Sequence, residues 1–221
     1  KQLISQFNLG HVVPSQEIYD AVKRVRTKYN KLVITSMGTV AASGGYYIAS
    51  ATDRIMANPG TLTGSIGVIM ELANVEGLMK KIGVESLVIK SGAHKDLASP
   101  FRQMKPEDRA ILQAVMDDVH LQFMEAVAAG RALSMEEVRL LADGRVFTGR
   151  QAKDLHLVDD IGNLDDAIRL AGELSGMMGE PKVVEPRRRF SIRELLESRV
   201  LGVFPQFNIR SGVSLKYLVA F

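Results

Sequence analysis

The passage Gly38-Thr39-Val40-Ala41-Ala42-Ser43-Gly44-Gly45 constrains this chain more than any other, because it contains nothing larger than valine and joins two very different segments. Ahead of it, Leu32-Val33-Ile34-Thr35-Ser36 reads as a buried strand; behind it, Tyr46-Tyr47-Ile48-Ala49 reads as the first turns of a helix. A strand that turns tightly into a helix belongs to an α/β architecture. Ser43 then lies near a helix N-terminus, among neighbours too small to shield its hydroxyl. Unpaired backbone N–H groups gather there, and that of Gly44 can donate to an oxyanion forming on an attacked carbonyl. Two readings follow: Ser43 as a nucleophile, or Ser43 as an N-cap with glycines that permit close packing.

The remaining pattern alternates helical and extended segments. Ile18, Val22, Val25 and Tyr29 line one face of a helix that starts after Pro14, and Arg54 to Ala57 is a strand ended by Asn58-Pro59-Gly60. Ser65 to Met70 reads as a further strand, which puts Ser43 and Ser65 on neighbouring strand ends. A helix over Leu72 to Lys81 and a strand over Val84 to Lys90 follow, the latter delivering Lys90 and Lys95 into a loop. Pro106 opens a long helix carrying Leu112, Val115, Val119, Phe123 and Val127 and stopped at Gly130. Capping boxes are read at Ser134/Glu137, Thr148/Gln151 and Ser191/Glu194.

Composition narrows the function. With 221 residues and 46% hydrophobic content, the chain can fill one α/β core. Its net charge of +3 is spread out apart from Arg187-Arg188-Arg189, which argues against nucleic acid as a partner. The absence of cysteine removes disulfides, a thiol nucleophile and thiolate zinc. No apolar run reaches the roughly 20 residues needed to span a bilayer.

A serine nucleophile needs a base, and none of the four histidines has a context suited to it. His120 falls beside core positions of the long helix, His11 and His156 in turns, and His94 in the lysine loop. Lysine is the alternative. A free lysine amine has a pKa of about 10.4, so serving as a base near neutrality requires burial in an apolar pocket to destabilise the ammonium.

Gly38 to Ser50 resembles the nucleophile segment of the signal peptide peptidase A family, serine peptidases on the Clp/crotonase fold. Four further segments are similar to family motifs in the same order: Thr63-Gly64-Ser65-Ile66-Gly67-Val68, Lys90-Ser91-Gly92-Ala93-His94-Lys95-Asp96, Gly144 to Gly149, and Leu157-Val158-Asp159. The resemblance implies stacked ββα units over residues 1–180 and a helical or extended C-terminal arm over 181–221. It implies a Ser/Lys dyad of Ser43 and Lys95, an oxyanion donor at Gly44, and a Ser65 hydroxyl that orients the lysine; Lys90 then ends the strand as a solvated terminus, and Asp96 is structural. It requires neither cofactor nor metal. Hydrophobic peptides such as signal-peptide remnants are the implied substrates, a homo-oligomer the implied assembly, and the outer side of a bacterial membrane the implied location, reached through an upstream anchor. The family carries a strand ending Ser-Pro-Gly-Gly before the helix at Val12, whereas here Gly10-His11 leads straight into it; an N-terminal strand and a second oxyanion donor are therefore expected to be missing. Two rival readings are a crotonase-like acyl-CoA enzyme and a catalytically inactive assembly subunit. The apolar segment Val213 to Phe221 is expected to dock beside a peptide groove or in the core.

Overall fold

The computed structural model describes residues 11–184. The arm beyond residue 184, with the Ser191/Glu194 box, the Arg187–Phe204 segment and the Val213–Phe221 tail, lies outside the described residues, as does Gly10.

The chain forms a mixed α/β fold around two three-stranded sheets. Helix α1 (Val12–Tyr29) leads into β1 (Ile34–Met37), β2 (Val40–Ala42), α2 (Gly44–Ala49), β3 (Arg54–Ala57) and β4 (Leu62–Gly64). Then come α3 (Glu76–Lys81), α4 (Pro106–Arg131), α5 (Met135–Leu141), β5 (Val146–Thr148), α6 (Gly149–Asp154), β6 (Asp160–Ile161) and α7 (Leu164–Leu174). One sheet has the order β1-β3-β6, all parallel; the other has β2-β4-β5, with β4 parallel to β2 and antiparallel to β5. Consecutive strands therefore step from the first sheet to the second twice, β1 to β2 and β3 to β4. Between the sheets and helices, Tyr46, Ile48, Ile55, Ile66, Phe123, Val127 and Leu157 form the core.

Several elements start where their side chains demand it. Ser134, Thr148 and Asn163 each accept an N–H from the first turn of the helix they precede, and each helix's third residue bonds back to the cap. Arg26 on α1 bonds Asp53 Oδ1 at 2.8 Å through Nε and the Ala51 carbonyl at 2.6 Å through Nη1. The other oxygen of Asp53 accepts the Val33 N–H at 2.8 Å, tying α1 to the entry of β1.

Five expectations need correction. Helix α1 begins at Val12, two residues ahead of Pro14, because a proline in the first turn removes an N–H that has no intrahelical acceptor anyway. Tyr19 rather than Tyr29 takes the buried aromatic position on that helix. The strand expected over Ser65–Met70 ends at Gly64, because Gly64 (φ 76°) and Ser65 (φ 51°) turn the chain out of the sheet. Helix α3 begins at Glu76, not Leu72, since the Asn74 side chain accepts the Glu76 N–H and the Val75 N–H is engaged by the Pro100 carbonyl. The strand expected over Val84–Lys90 has no partner among the described residues; Leu87 and Ile89 are 90% and 94% exposed.

Candidate active site

The parallel pair β2 and β4 is in register with Ala42 opposite Gly64, so the next residues, Ser43 and Ser65, leave the sheet side by side. Thr63 on β4 donates its hydroxyl to the Ala41 carbonyl at 2.8 Å, and Thr61 donates to Gly38 at 2.7 Å, which locks the two strand ends together. The Ser43 N–H donates to the Gly64 carbonyl at 2.8 Å, and the Ser65 N–H to the Arg145 carbonyl at 2.8 Å. Carboxyl ends of parallel strands are where α/β folds collect their chemistry.

Ser43 has φ 56° and ψ −119°, a backbone state that a residue with a Cβ adopts at a cost of about 1–3 kcal/mol. That geometry is what a sharp strand-to-helix turn imposes. The side chain is 1% exposed, caps nothing on α2, and its Oγ has no hydrogen-bond partner among the described residues. The N-cap reading is thereby excluded. A buried hydroxyl left unpaired costs roughly 1–3 kcal/mol, so both the backbone and the side chain of this one residue are held in unfavourable states. Gly44 begins α2, where its N–H has no intrahelical acceptor. At Gly45 a Cβ would meet nothing within 4 Å, so the turn opens onto space rather than onto packed atoms.

The turn rests on a rigid floor. Tyr47 lies between Tyr19 and Phe123, with ring centroids 5.0 and 5.1 Å away, and burial, then Tyr19 and Asp20, push its hydroxyl up to about 12. Tyr46 is fully buried and donates to the Leu157 carbonyl at 2.9 Å, and burial holds its hydroxyl far above the usual tyrosine range.

Beside Ser65 a cavity of about 520 Å³ opens between the segment after β4 and α4. Val68, Ile69, Met116 and Val146 give it apolar walls, with Glu71 and Asp117 among its polar groups. His120 also lines it, and His120 Nε2 is buried without a partner. No histidine bonds the Ser43 hydroxyl. Among the described residues no group of three His, Asp or Glu side chains is placed to hold a metal ion.

The burial expected of a lysine base is not found at Lys95, which is exposed in the loop between Ser91 and Asp96, its N–H donating to the Gly92 carbonyl at 3.2 Å. No hydrogen bond joins it to Ser43 Oγ. It has no ion pair among the described residues, and Asp96, its neighbour, is occupied elsewhere. Lys90 Nζ binds Asp96 Oδ1 at 2.7 Å and the Ala93 carbonyl at 2.9 Å. Arg102 binds Asp96 Oδ2 at 2.9 Å and, through its other end, Asp108 Oδ2 at 2.6 Å. Sequence reasoning singled out both lysines and Asp96 but not Arg102, because nothing in the spacing of six residues marks it as the partner. The structure thus brings together Ser43, Gly44 and Ser65; of the two lysines, it commits Lys90 to an ion pair and leaves Lys95 without one.

Comparison with known proteins shows the family. The sequence profile described as peptidase family S49 matches residues 26–178. A Synechocystis protein named "Putative protease slr0021" is 50% identical over 176 residues, covering 80% of this chain and 62% of that protein. An Enterococcus faecium protein named "Putative signal peptide peptidase SppA" is 39% identical, over 72% of this chain and 46% of its own length. The chloroplastic serine protease SPPA of Arabidopsis thaliana is 36% identical, over 78% of this chain and 27% of its own. The chain spans about half to three fifths of the length of the first of these relatives. With the matched region running from the end of α1 to beyond α7 and holding Ser43, Ser65 and Lys95, the chain belongs to peptidase family S49.

Proposed function

We propose that this chain carries the catalytic unit of a serine peptidase with a Ser/Lys dyad, acting on apolar peptides. The observation that carries the reading is Ser43, buried, strained and unbonded at the turn between β2 and α2. Its counterpart is Lys95, the lysine of the loop that no carboxylate occupies.

In the proposed reaction the neutral amine of Lys95 takes the Ser43 hydroxyl proton as Oγ attacks the scissile carbonyl carbon. The negative charge moves to the carbonyl oxygen, where the Gly44 N–H donates to it. Collapse breaks the C–N bond, and the lysine returns the proton to the departing amine. Water then attacks the acyl-enzyme with the same lysine as base, releasing the acid and restoring Ser43. Ser65, leaving its strand beside Ser43, accepts from the lysine amine and aims it.

The name of the Enterococcus faecium relative supports signal-peptide remnants as substrates, and the apolar walls beside Ser65 suit side chains of that kind. The double step of strands from one sheet to the other supports a Clp/crotonase-like ββα arrangement. Exposed Leu78, Ile82, Leu87 and Ile89 support a homo-oligomer. No helix among the described residues is long and apolar enough to cross a membrane; the proposed location of the whole protein is the outer side of a bacterial membrane.

Fluorophosphonate labelling tests the nucleophile. The probe is expected to modify Ser43, and Ser43→Ala is expected to lose both labelling and hydrolysis of a quenched leucine-rich peptide while keeping or raising its melting temperature. Wild-type turnover by Ser43→Ala would remove Ser43 from the mechanism; an unlabelled but folded wild-type chain would instead favour the acyl-CoA enzyme or the inactive subunit.

A further inference from the structure

The loop that carries Lys95 has no helix or strand between Lys81 and Pro106 to give it shape. What shapes it is one guanidinium. Arg102 Nε and Nη2 reach both carboxylate oxygens of Asp96, at 2.9 and 3.2 Å, and Nη2 also reaches the Asp96 carbonyl at 3.0 Å. Arg102 Nη1 reaches Asp108 on the first turn of α4 at 2.6 Å and the Gln103 carbonyl at 2.9 Å. Asp108 is 2% exposed, and its carboxylate also accepts the Lys105 N–H that opens α4. One side chain thus spans the residue after Lys95 and the start of the longest helix. Planar five-donor geometry permits such a span, and a lysine ammonium does not reproduce it.

The same contacts answer a chemical problem. Asp96 follows Lys95 directly and would be its natural counter-ion, and an ammonium paired with a carboxylate is a poor base. Here the carboxylate is already occupied by Arg102 and Lys90, which hold the Asp96 carboxyl far below the usual carboxylate range. The charged groups gathered on this turn are Lys90, His94, Asp96 and Arg102 of the loop, Asp108 of α4, 3.7 Å from His94 Nδ1, and Glu76 of α3, itself taken by Lys80 and the Gln103 N–H.

We propose that Arg102 is a positioning residue for Lys95: it fixes the lysine's turn against α4 and keeps Asp96 from pairing with the lysine. This rests on the reading of Lys95 as the base.

The test uses the full chain, a quenched leucine-rich peptide and pH profiles of kcat and kcat/KM for Arg102→Gln, Arg102→Lys and the double variant Arg102→Gln with Asp96→Asn. Releasing Asp96 toward Lys95 favours the ammonium, so Arg102→Gln is expected to move the acid limb of kcat/KM up by about one pH unit. It is also expected to lower kcat by about tenfold or more while KM stays within about twofold, since the loss is one of alignment. The double variant, without the carboxylate, should return the limb to its wild-type position while kcat stays low. Arg102→Lys retains a cation for Asp96 but not the fork to Asp108, so it should keep the wild-type limb with reduced kcat; it serves alone if Arg102→Gln does not fold. Wild-type kcat in Arg102→Lys, or a double variant whose limb stays with that of Arg102→Gln, would overturn the proposal. Lys95→Ala run in parallel separates the two failures: wild-type turnover there sinks the base assignment, whatever the Arg102 variants do.

Discussion

A single backbone torsion distinguishes Ser43 from an ordinary helix-capping serine. The small residues around it marked the position in the sequence, since only they allow two strand ends to meet so closely, and the two-strand neighbourhood of Ser43 and Ser65 followed from the same reading. Neither the positive φ of both serines nor the unpaired Oγ was legible, because each arises from pairing between β2 and β4, twenty residues apart in the chain. The partner of Asp96 was likewise hidden. Gly64 tests the geometry directly: it sits at φ 76°, and a Cβ there would lie 2.5 Å from Phe147 Cδ2. Gly64→Ala is expected to cost about 2 kcal/mol from strain and overpacking and to disturb Ser43, whose N–H hangs on the Gly64 carbonyl. Urea denaturation and peptide turnover should fall together; loss of stability with unchanged turnover would separate the turn from the chemistry.

Among the elements, those announced by end signals were read best. Pro106 opens α4, and the boxes at Ser134 and Thr148 open α5 and α6 as expected, while the box Asn163/Asp166 that opens α7 went unread. The expected strands over 65–70 and 84–90 failed because apolar β-prone residues say nothing about whether a partner edge exists. How α4 reaches the site is also invisible in its pattern. Its Gly130 lies against the end of α2, where a Cβ would come within 2.0 Å of the Ser50 carbonyl oxygen. Gly130→Ala therefore forces α4 away from α2, the helix that follows Ser43, and an expected loss of about 1–3 kcal/mol should appear as a lower urea midpoint with reduced kcat. At the next residue, Arg131 forks onto Asp159 at 2.8 and 2.9 Å. Burial pushes the Asp159 carboxyl up, but Arg131 and the Ile55 N–H outweigh it and hold it below the usual value. A carboxyl lowered on folding stabilises the protein above its unfolded pKa of about 3.9, and that contribution disappears as pH falls through the folded value. Arg131→Met should thus destabilise by about 3 kcal/mol at pH 7 and by progressively less below about pH 4, as seen in denaturant midpoints across that range.

For the whole molecule, the described residues divide into a well-packed body and an apolar loop region from Leu78 to Met104 with little cover. Leu87 and Ile89, at 90% and 94% exposure, stand on a segment with neither helix nor strand. Light scattering of the full chain is expected to report a homo-oligomer, and Leu87→Glu with Ile89→Glu to shift it toward smaller species without lowering the melting temperature; a wild-type monomer at micromolar concentration would refute the assembly. Membership of peptidase family S49 was legible because ordered motifs survive independently of packing, whereas the position of Lys95 relative to Ser43 depends on a loop with no helix or strand of its own. The held torsion at Ser43 also has a historical consequence. A residue kept in an unfavourable state is retained only while its product is used, and glycine at position 43 would relax the backbone and remove the unpaired oxygen together. Under the proposed hydrolysis, lineages that abandon it are expected to drift from serine to glycine at this position and to leave a sturdier, silent protein.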